Sequence, residues 1–278
     1  MRSRREGIIV KLVSDDGIVR YGEIAPLPEF GSETIEAAIA FCRRLGDRVS
    51  TETIRSIPDT LPACQFGFES AILGCQNLAP ASLSCSRLLP AGEAAIAKVA
   101  NTPPQSTFKW KIGVEAVDRE LDILSELARS LPPGGKLRLD ANGGLNWETA
   151  NRWLACCDQL GIELFEQPLP VGEFDAMQKL RDRYATPIAL DESVATVTQM
   201  ERCHQRGWRG IFVVKPCIAG FPSRLRQLCR DCDLDTVFSS VFESAIAREF
   251  ALRLAATVQK VPRAVGFGVE GWLATTDE

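Results

Sequence analysis

Five charged residues, Lys111, Asp140, Glu166, Asp191 and Lys215, each end a short apolar run, and they recur 29, 26, 25 and 24 residues apart. A strand, a helix and two loops take roughly 25 to 30 residues, the length of one βα unit. The spacing predicts one charged side chain per unit, each at the C-terminal end of a strand. Such units close into a (β/α)8-type barrel, and the C-terminal face of that barrel carries the chemistry. Runs such as IFVV and TVFS are almost wholly apolar, as expected for parallel strands covered on both faces.

Strands are expected over Thr107–Lys111, Lys136–Asp140, Glu163–Glu166, Pro187–Leu190, Gly210–Val214 and Thr236–Ser239. Helices are expected over Val117–Arg129, Trp147–Cys157, Glu173–Asp182, Thr196–His204, Phe221–Cys229 and Ser244–Val258. Gly266-Phe267-Gly268 is the candidate eighth strand end. The first 80 or so residues lack this alternation. There, Arg5–Val13 and Ile18–Ile24 read as strands around an Asp15-Asp16-Gly17 turn. Ser32 is the expected N-cap of a helix that puts Ile35, Ala38, Ile39 and Cys42 on one face, and a second helix runs over Ala63–Gln76. The fold class is α/β: a TIM-like barrel over residues 83–270 with an N-terminal α+β capping domain over 1–82, which the C-terminal tail is available to complete.

A net charge of −4 without a basic block argues against a nucleic-acid partner. No apolar run approaches the roughly 20 residues of a membrane span, and MRSRREG lacks the apolar stretch of a signal peptide. The ten cysteines are irregularly spaced, which suits reduced thiols and a cytoplasmic protein. Cys229 and Cys232 form a C-x-x-C without the second pair or the histidines that zinc needs. The one histidine, His204, lies at a polar helix end. Acid–base work therefore falls to Lys, Asp or Glu.

Asp140, Glu166 and Asp191 on consecutive strands make an oxygen-rich site for a hard divalent cation. Taken singly, Asp140 could cap a turn, Asp191 could cap the next helix and Glu166 could be a surface residue before a proline turn, but such roles explain poorly why all three fall at strand ends in successive units. With neighbours about 45° apart around an eight-stranded barrel, Lys111 after strand two and Lys215 after strand six face each other across the mouth. A ligand between them suits proton transfer at a carbon next to a carboxylate, with the cation stabilising the enediolate and a lysine as base. Lys109 and Lys111 share a strand face, so each is expected to lower the other's pKa; a solvated lysine pair is the alternative. Asn142 and Glu192 are candidate partners of the ligands, Asn142 is also a candidate for binding substrate, and a solvated Glu192 is the alternative. Ser239 and Ser240, at the start of a helix, are candidates for holding a substrate carboxylate, with a plain helix cap as the alternative.

The motifs GEIAPLPEFGSET, FKWKIGV, LRLDANGG, FEQPLP, LDES, VVKP and SSVFES occur in this order and cover most of the chain. Together they resemble the enolase superfamily, its muconate-lactonizing-enzyme-like group, and within it the o-succinylbenzoate synthase family. The resemblance implies a (β/α)7β barrel with a capping domain whose loops close over the site. It implies Mg²⁺, with Mn²⁺ as a substitute, on Asp140, Glu166 and Asp191. It implies Lys111 as acid/base and Lys215 as the electrostatic partner opposite. The implied reaction is syn dehydration of the carboxylate 2-succinyl-6-hydroxy-2,4-cyclohexadiene-1-carboxylate to 2-succinylbenzoate, in menaquinone and phylloquinone biosynthesis. The family also has a further strand and a mobile loop ahead of the position of Arg5, so a water-excluding loop is expected to be missing here or supplied otherwise. SSVFES lacks the Asp-x-Asp of dipeptide-acting relatives, which disfavours dipeptide epimerisation. N-succinylamino acid racemisation is the enzymatic alternative, and a ligand-binding barrel without turnover is the non-enzymatic one.

Overall fold

The computed structural model describes residues 5–79, 82–100 and 102–268. Strands β1 (Ile8–Val13) and β2 (Val19–Ile24) form an antiparallel hairpin. Gly17, at φ 80°, closes the turn, and its N–H donates to the Ser14 carbonyl. Helix α1 (Ile35–Leu45) is capped by the Thr34 hydroxyl, not by Ser32. The Ser32 hydroxyl instead accepts from the Leu27 N–H at 2.6 Å, closing the loop that precedes the helix. After the short α2 (Thr51–Arg55) comes α3 (Pro62–Leu73), which is buried along nearly its whole length. Gly22 of β2 and Gly67 of α3 allow this packing: a Cβ on Gly22 would lie 2.0 Å from the Gly67 carbonyl oxygen.

The barrel follows. Strands β3 (Cys85–Leu88), β4 (Thr107–Lys111), β5 (Lys136–Asp140), β6 (Leu164–Glu166), β7 (Ile188–Leu190), β8 (Ile211–Val214), β9 (Thr236–Phe238) and β10 (Val265–Gly268) make one parallel sheet in the order β10-β3-β4-β5-β6-β7-β8-β9. A bridge between Ser239 and Gly266 brings the two ends together. Helices α4 (Ala94–Val99), α5 (Val117–Ser130), α6 (Trp147–Leu160), α7 (Phe174–Arg183), α8 (Val197–Gln205), α9 (Pro216–Ala219), α10 (Pro222–Asp231) and α11 (Ala245–Val258) connect the strands. The sequence names neither β3 nor α4. Every expected strand from β4 to β9 is present within a residue or so at its ends, and β10 is the expected eighth. The C-terminal tail beyond Gly268 lies outside the described residues.

Most apolar side chains join one core shared by the outer barrel face, the helices and the cap. Leu164, Ala189, Ile211, Val213 and Val237 form a separate small cluster. Side chains alternate along a strand. Glu166, Asp191, Lys215 and Ser239 each follow a member of this cluster by two residues, so all four sit on the barrel's inner side at its C-terminal rim.

Buried carboxylates from the cap fasten it to the barrel. Glu23 of β2 accepts from Ser244 N–H at 3.0 Å at the start of α11, and Glu69 of α3 accepts from Ser223 N–H at 2.8 Å at the start of α10. A negative charge at a helix N-terminus meets unpaired N–H groups and the positive end of the dipole. No described helix is long and apolar enough to cross a membrane. Cys229 and Cys232 form no disulfide, and burial pushes the Cys229 thiol up to about 12.

Candidate active site

Strand β4 puts Trp110 outward, its ring centroid 6.2 Å from that of Trp153 on α6, and sends Lys109 and Lys111 into the barrel mouth. Lys109 Nζ lies 2.8 Å from Asp140 and 2.7 Å from Glu166. Asp140 and Glu166 are paired neighbours in the sheet register, so one ammonium bridges two strand ends. Lys215, directly after β8, pairs with Asp191, and its ammonium lies 4.0 Å from the centre of the Phe30 ring. Lys111 differs from both. Its Nζ donates to the amide oxygen of Asn142 at 3.0 Å, and it is the one of the three lysines without a carboxylate ion pair among the described residues.

Two amide residues brace this set. Asn142, at φ 45°, donates its N–H to Asp140 and its side-chain NH₂ to Glu192, each at 3.0 Å. Gln167, buried and at φ 36°, accepts from the Asp191 N–H at 3.0 Å and donates to the Ser193 hydroxyl at 2.9 Å. Non-glycine residues with positive φ persist where the surroundings impose them, which is common in functional sites.

The charges are not balanced internally. Burial and the nearby Asp140 charge hold the Glu166 carboxyl up to about 8. Burial and the adjacent Asp191 raise Glu192, whose Oε2 is buried without a hydrogen-bond partner. For Lys109, burial acts to lower the pKa, but Asp140, Glu166 and Asp191 outweigh it and hold the ammonium above the ordinary lysine value. The expectation that Lys111 would push Lys109 toward neutrality is therefore corrected. Two carboxylates at hydrogen-bond distance dominate a like charge further away.

The residues present fit a hard divalent cation. Three buried carboxylates end three adjacent strands, their donors are all oxygen, and Glu166 is held up by burial and the Asp140 charge. As they stand, no three acidic, imidazole or thiol groups among the described residues are gathered closely enough to hold an ion. Lys109 Nζ occupies the position between Asp140 and Glu166.

A cavity of about 160 Å³ opens over these groups. Ser239 and Ser240 line it as expected, but the Ser240 hydroxyl is already committed, donating to Glu243 at 3.0 Å and accepting from the Phe242 N–H at 2.8 Å. Leu27 and Phe30 from the cap and Ser86 and Leu88 from β3 also line it. Sequence reasoning gave these four no role. For Leu27 and Phe30, the PLPEF run inside a quoted motif was the available signal.

Comparison with known proteins bears on this arrangement. Residues 93–272 match the family model described as enolase C-terminal domain-like, and residues 1–75 match that of the MenC N-terminal domain. The o-succinylbenzoate synthase of Thermosynechococcus vestitus is 44% identical, with 96% of this chain and 86% of the relative aligned. The chain belongs to the o-succinylbenzoate synthase family of the enolase superfamily. Another relative of that name, from Yersinia enterocolitica, is 31% identical over 90% of this chain and 78% of its own length. The solved o-succinylbenzoate synthase from Thermosynechococcus elongatus, which holds Mg in its active site, superposes with a TM-score of 0.88 at 43% identity, covering 96% of this chain and 86% of that one. The L-Ala-D/L-Glu epimerase of Bacillus subtilis has a TM-score of 0.80 at 23% identity over 98% and 84% of the two chains, and shares the fold. As a member of this synthase family, the protein is an enzyme, a carbon–oxygen lyase.

Proposed function

We propose that this protein is a Mg²⁺-dependent o-succinylbenzoate synthase of menaquinone or phylloquinone biosynthesis. It removes water from 2-succinyl-6-hydroxy-2,4-cyclohexadiene-1-carboxylate to give 2-succinylbenzoate. In this reading residues 1–82 are the cap and 83–270 the barrel. The kinship with synthases along 96% of the chain supports the reaction class. The observation that carries the division of labour is the contrast among the lysines. Lys109 and Lys215 are tied to carboxylates, while Lys111 is held only by an amide and stays available to move a proton.

Asp140, Glu166 and Asp191 would hold the ion. When bound, Mg²⁺ supplies a positive centre for the substrate carboxylate and for the charge that develops on it. Lys111 takes the proton from the carbon bearing the carboxylate, and the enediolate forms. The electron pair then expels the 6-hydroxyl on the same face, and Lys111 returns its proton to it as water leaves. One C–H and one C–O bond break, and the ring becomes aromatic. Lys215, paired with Asp191, stabilises the enediolate from the other side. Lys109 keeps Asp140 and Glu166 in place, and Asn142 orients Lys111. Glu192 supports the ligand set through Asn142, while Ser239 and Ser240 shape the end of the pocket that takes a carboxylate.

The test is loss of diene absorbance on adding the substrate, with Mg²⁺ and with chelator, in the parent and in Lys111→Ala. The expected result is metal-dependent turnover that falls by about 10³-fold in Lys111→Ala. Turnover unaffected by Lys111→Ala would overturn the assignment. N-succinylamino acid racemisation needs both lysines as proton carriers. Lys215→Arg would then abolish turnover of one enantiomer, whereas a syn dehydration retains a reduced rate.

A further inference from the structure

The loop after β9 contains Phe242, whose φ of 61° is left-handed. A bulky side chain adopts this conformation only when its surroundings impose it, and glycine takes it freely. Core packing does not explain the choice of Phe, because the residue is 40% exposed and lines the cavity. Both flanks of Phe242 are pinned. Buried Glu243 accepts from the Val241 N–H at 2.7 Å and from the Ser240 hydroxyl, and that hydroxyl accepts from the Phe242 N–H. Arg5, at the base of the cap hairpin, donates from Nε to the Val241 carbonyl at 3.0 Å. The other two arms of its guanidinium reach the Pro26 carbonyl and, at 2.7 Å, the Ala25 carbonyl. The Glu23, Glu29 and Glu243 charges surround it.

Arg5 thus joins two loops that are far apart in sequence. The loop starting at Ala25 delivers Leu27 and Phe30 to the cavity, and the other loop delivers Val241 and Phe242. Together with Leu88 these are the apolar part of the lining. The rigid planar fork of an arginine can hold three carbonyls in one plane, which an ammonium cannot.

We propose that Arg5 and Glu243 are positioning residues that lock the cap loop to the loop after β9 and hold Phe242 as an apolar wall against which the carbon ring of the substrate packs. The nature of the packed ligand rests on the lyase reading; the lock itself does not. Neither Arg5 nor Glu243 reaches the reacting atoms. Their loss weakens ring binding and leaves proton transfer by Lys111 largely intact.

The experiment uses the full chain in four forms: parent, Arg5→Met, Phe242→Gly and the double variant. Amide hydrogen exchange reads the lock without substrate. Arg5→Met should speed exchange at Val241 and Phe242 about tenfold, the worth of one such hydrogen bond, with the interior of α11 unchanged as a folding control. Kinetics with the diene read its use. Each single variant should raise KM about tenfold with kcat within about threefold, and the double variant should be no worse than the worse single one, because Arg5 acts through Phe242. Arg5→Lys should recover only part of the loss. If α11 also loses protection in Arg5→Met, Glu243→Gln takes its place and must speed exchange at the same two amides. Unchanged exchange there, or KM effects that multiply, overturns the proposal. A parent that does not turn over the diene overturns the lyase reading instead, and the exchange measurement still decides the lock.

Discussion

The barrel has buried charges at both ends, and the two ends treat them differently. At the foot, Arg138 of β5 lies 2.5 Å from Glu163 and donates to the Ala264 carbonyl at 2.7 Å. Lys136 adds a 3.2 Å pair to the same glutamate, and Arg263 pairs with Asp235 at 2.7 Å. At the mouth, the same two strands present Asp140 and Glu166. Burial raises both glutamates, but at Glu163 the cations win and its carboxyl lies below the ordinary value, whereas Glu166 is held up to about 8. The foot has its countercharge built in, as a structural network does. At the mouth Lys109 holds the Asp140 carboxyl below its ordinary value, but buried Glu166 stays raised, as a carboxylate that awaits a cation does.

The strongest way to break this comparison is to remove one carboxylate from each end. Asp191→Asn is nearly isosteric and should lower turnover about 10³-fold or more, and it also costs stability because the buried Lys215 ammonium loses its carboxylate. Parent-like turnover at limiting Mg²⁺ would remove Asp191 from the ligand set. Glu163→Gln should spare turnover instead. It leaves a buried guanidinium without its partner and should cost about 3–5 kcal/mol in urea unfolding, while kcat changes only a few-fold.

Cation binding gives the next largest effect. Mg²⁺ at a hundred times its dissociation constant should stabilise the parent and Glu163→Gln alike by about 2.7 kcal/mol. In Asp191→Asn the gain should shrink or vanish. Equal gains in all three, measured by melting with and without chelator, would detach the cation from the mouth.

The pH dependence is the last test, and its sign differs between the ends. Glu163 has a folded pKa below its unfolded one. Its stabilisation is present above pH about 4.5 and is lost as pH falls through the folded value. Glu166 has a raised folded pKa. Its contribution in metal-free protein is full below about 4.5 and lost as pH rises toward about 8. Glu166→Gln in chelator should therefore flatten the decline between those pH values, and Glu163→Gln should flatten the acid limb. The same slope in parent and Glu166→Gln would show that the mouth is as well compensated as the foot.

Much of this was legible in the sequence because it depends on local periodicity. The spacing of Lys111, Asp140, Glu166, Asp191 and Lys215 reports βα units, and the period of two within TFKWK puts Lys109 beside Lys111. Ser32 and Thr34 both suit the cap position by sequence, and the Leu27 N–H, which takes the Ser32 hydroxyl, decides between them. Gln167 stood in a quoted motif but showed no role, because its partners at Asp191 and Ser193 belong to the next unit. Strand β3 is four residues long and carries too few apolar positions to show a period.

The sequence by itself determined the order of the units and which residues reach the rim of the barrel, since both follow from strand alternation and connection length. Tertiary structure alone decided which lysine carries a carboxylate, which carboxylate is held up, and that Arg5 meets Val241 across 236 positions. Those outcomes depend on distance and burial after the barrel closes, because electrostatic energies and hydrogen bonds act through space and not along the chain.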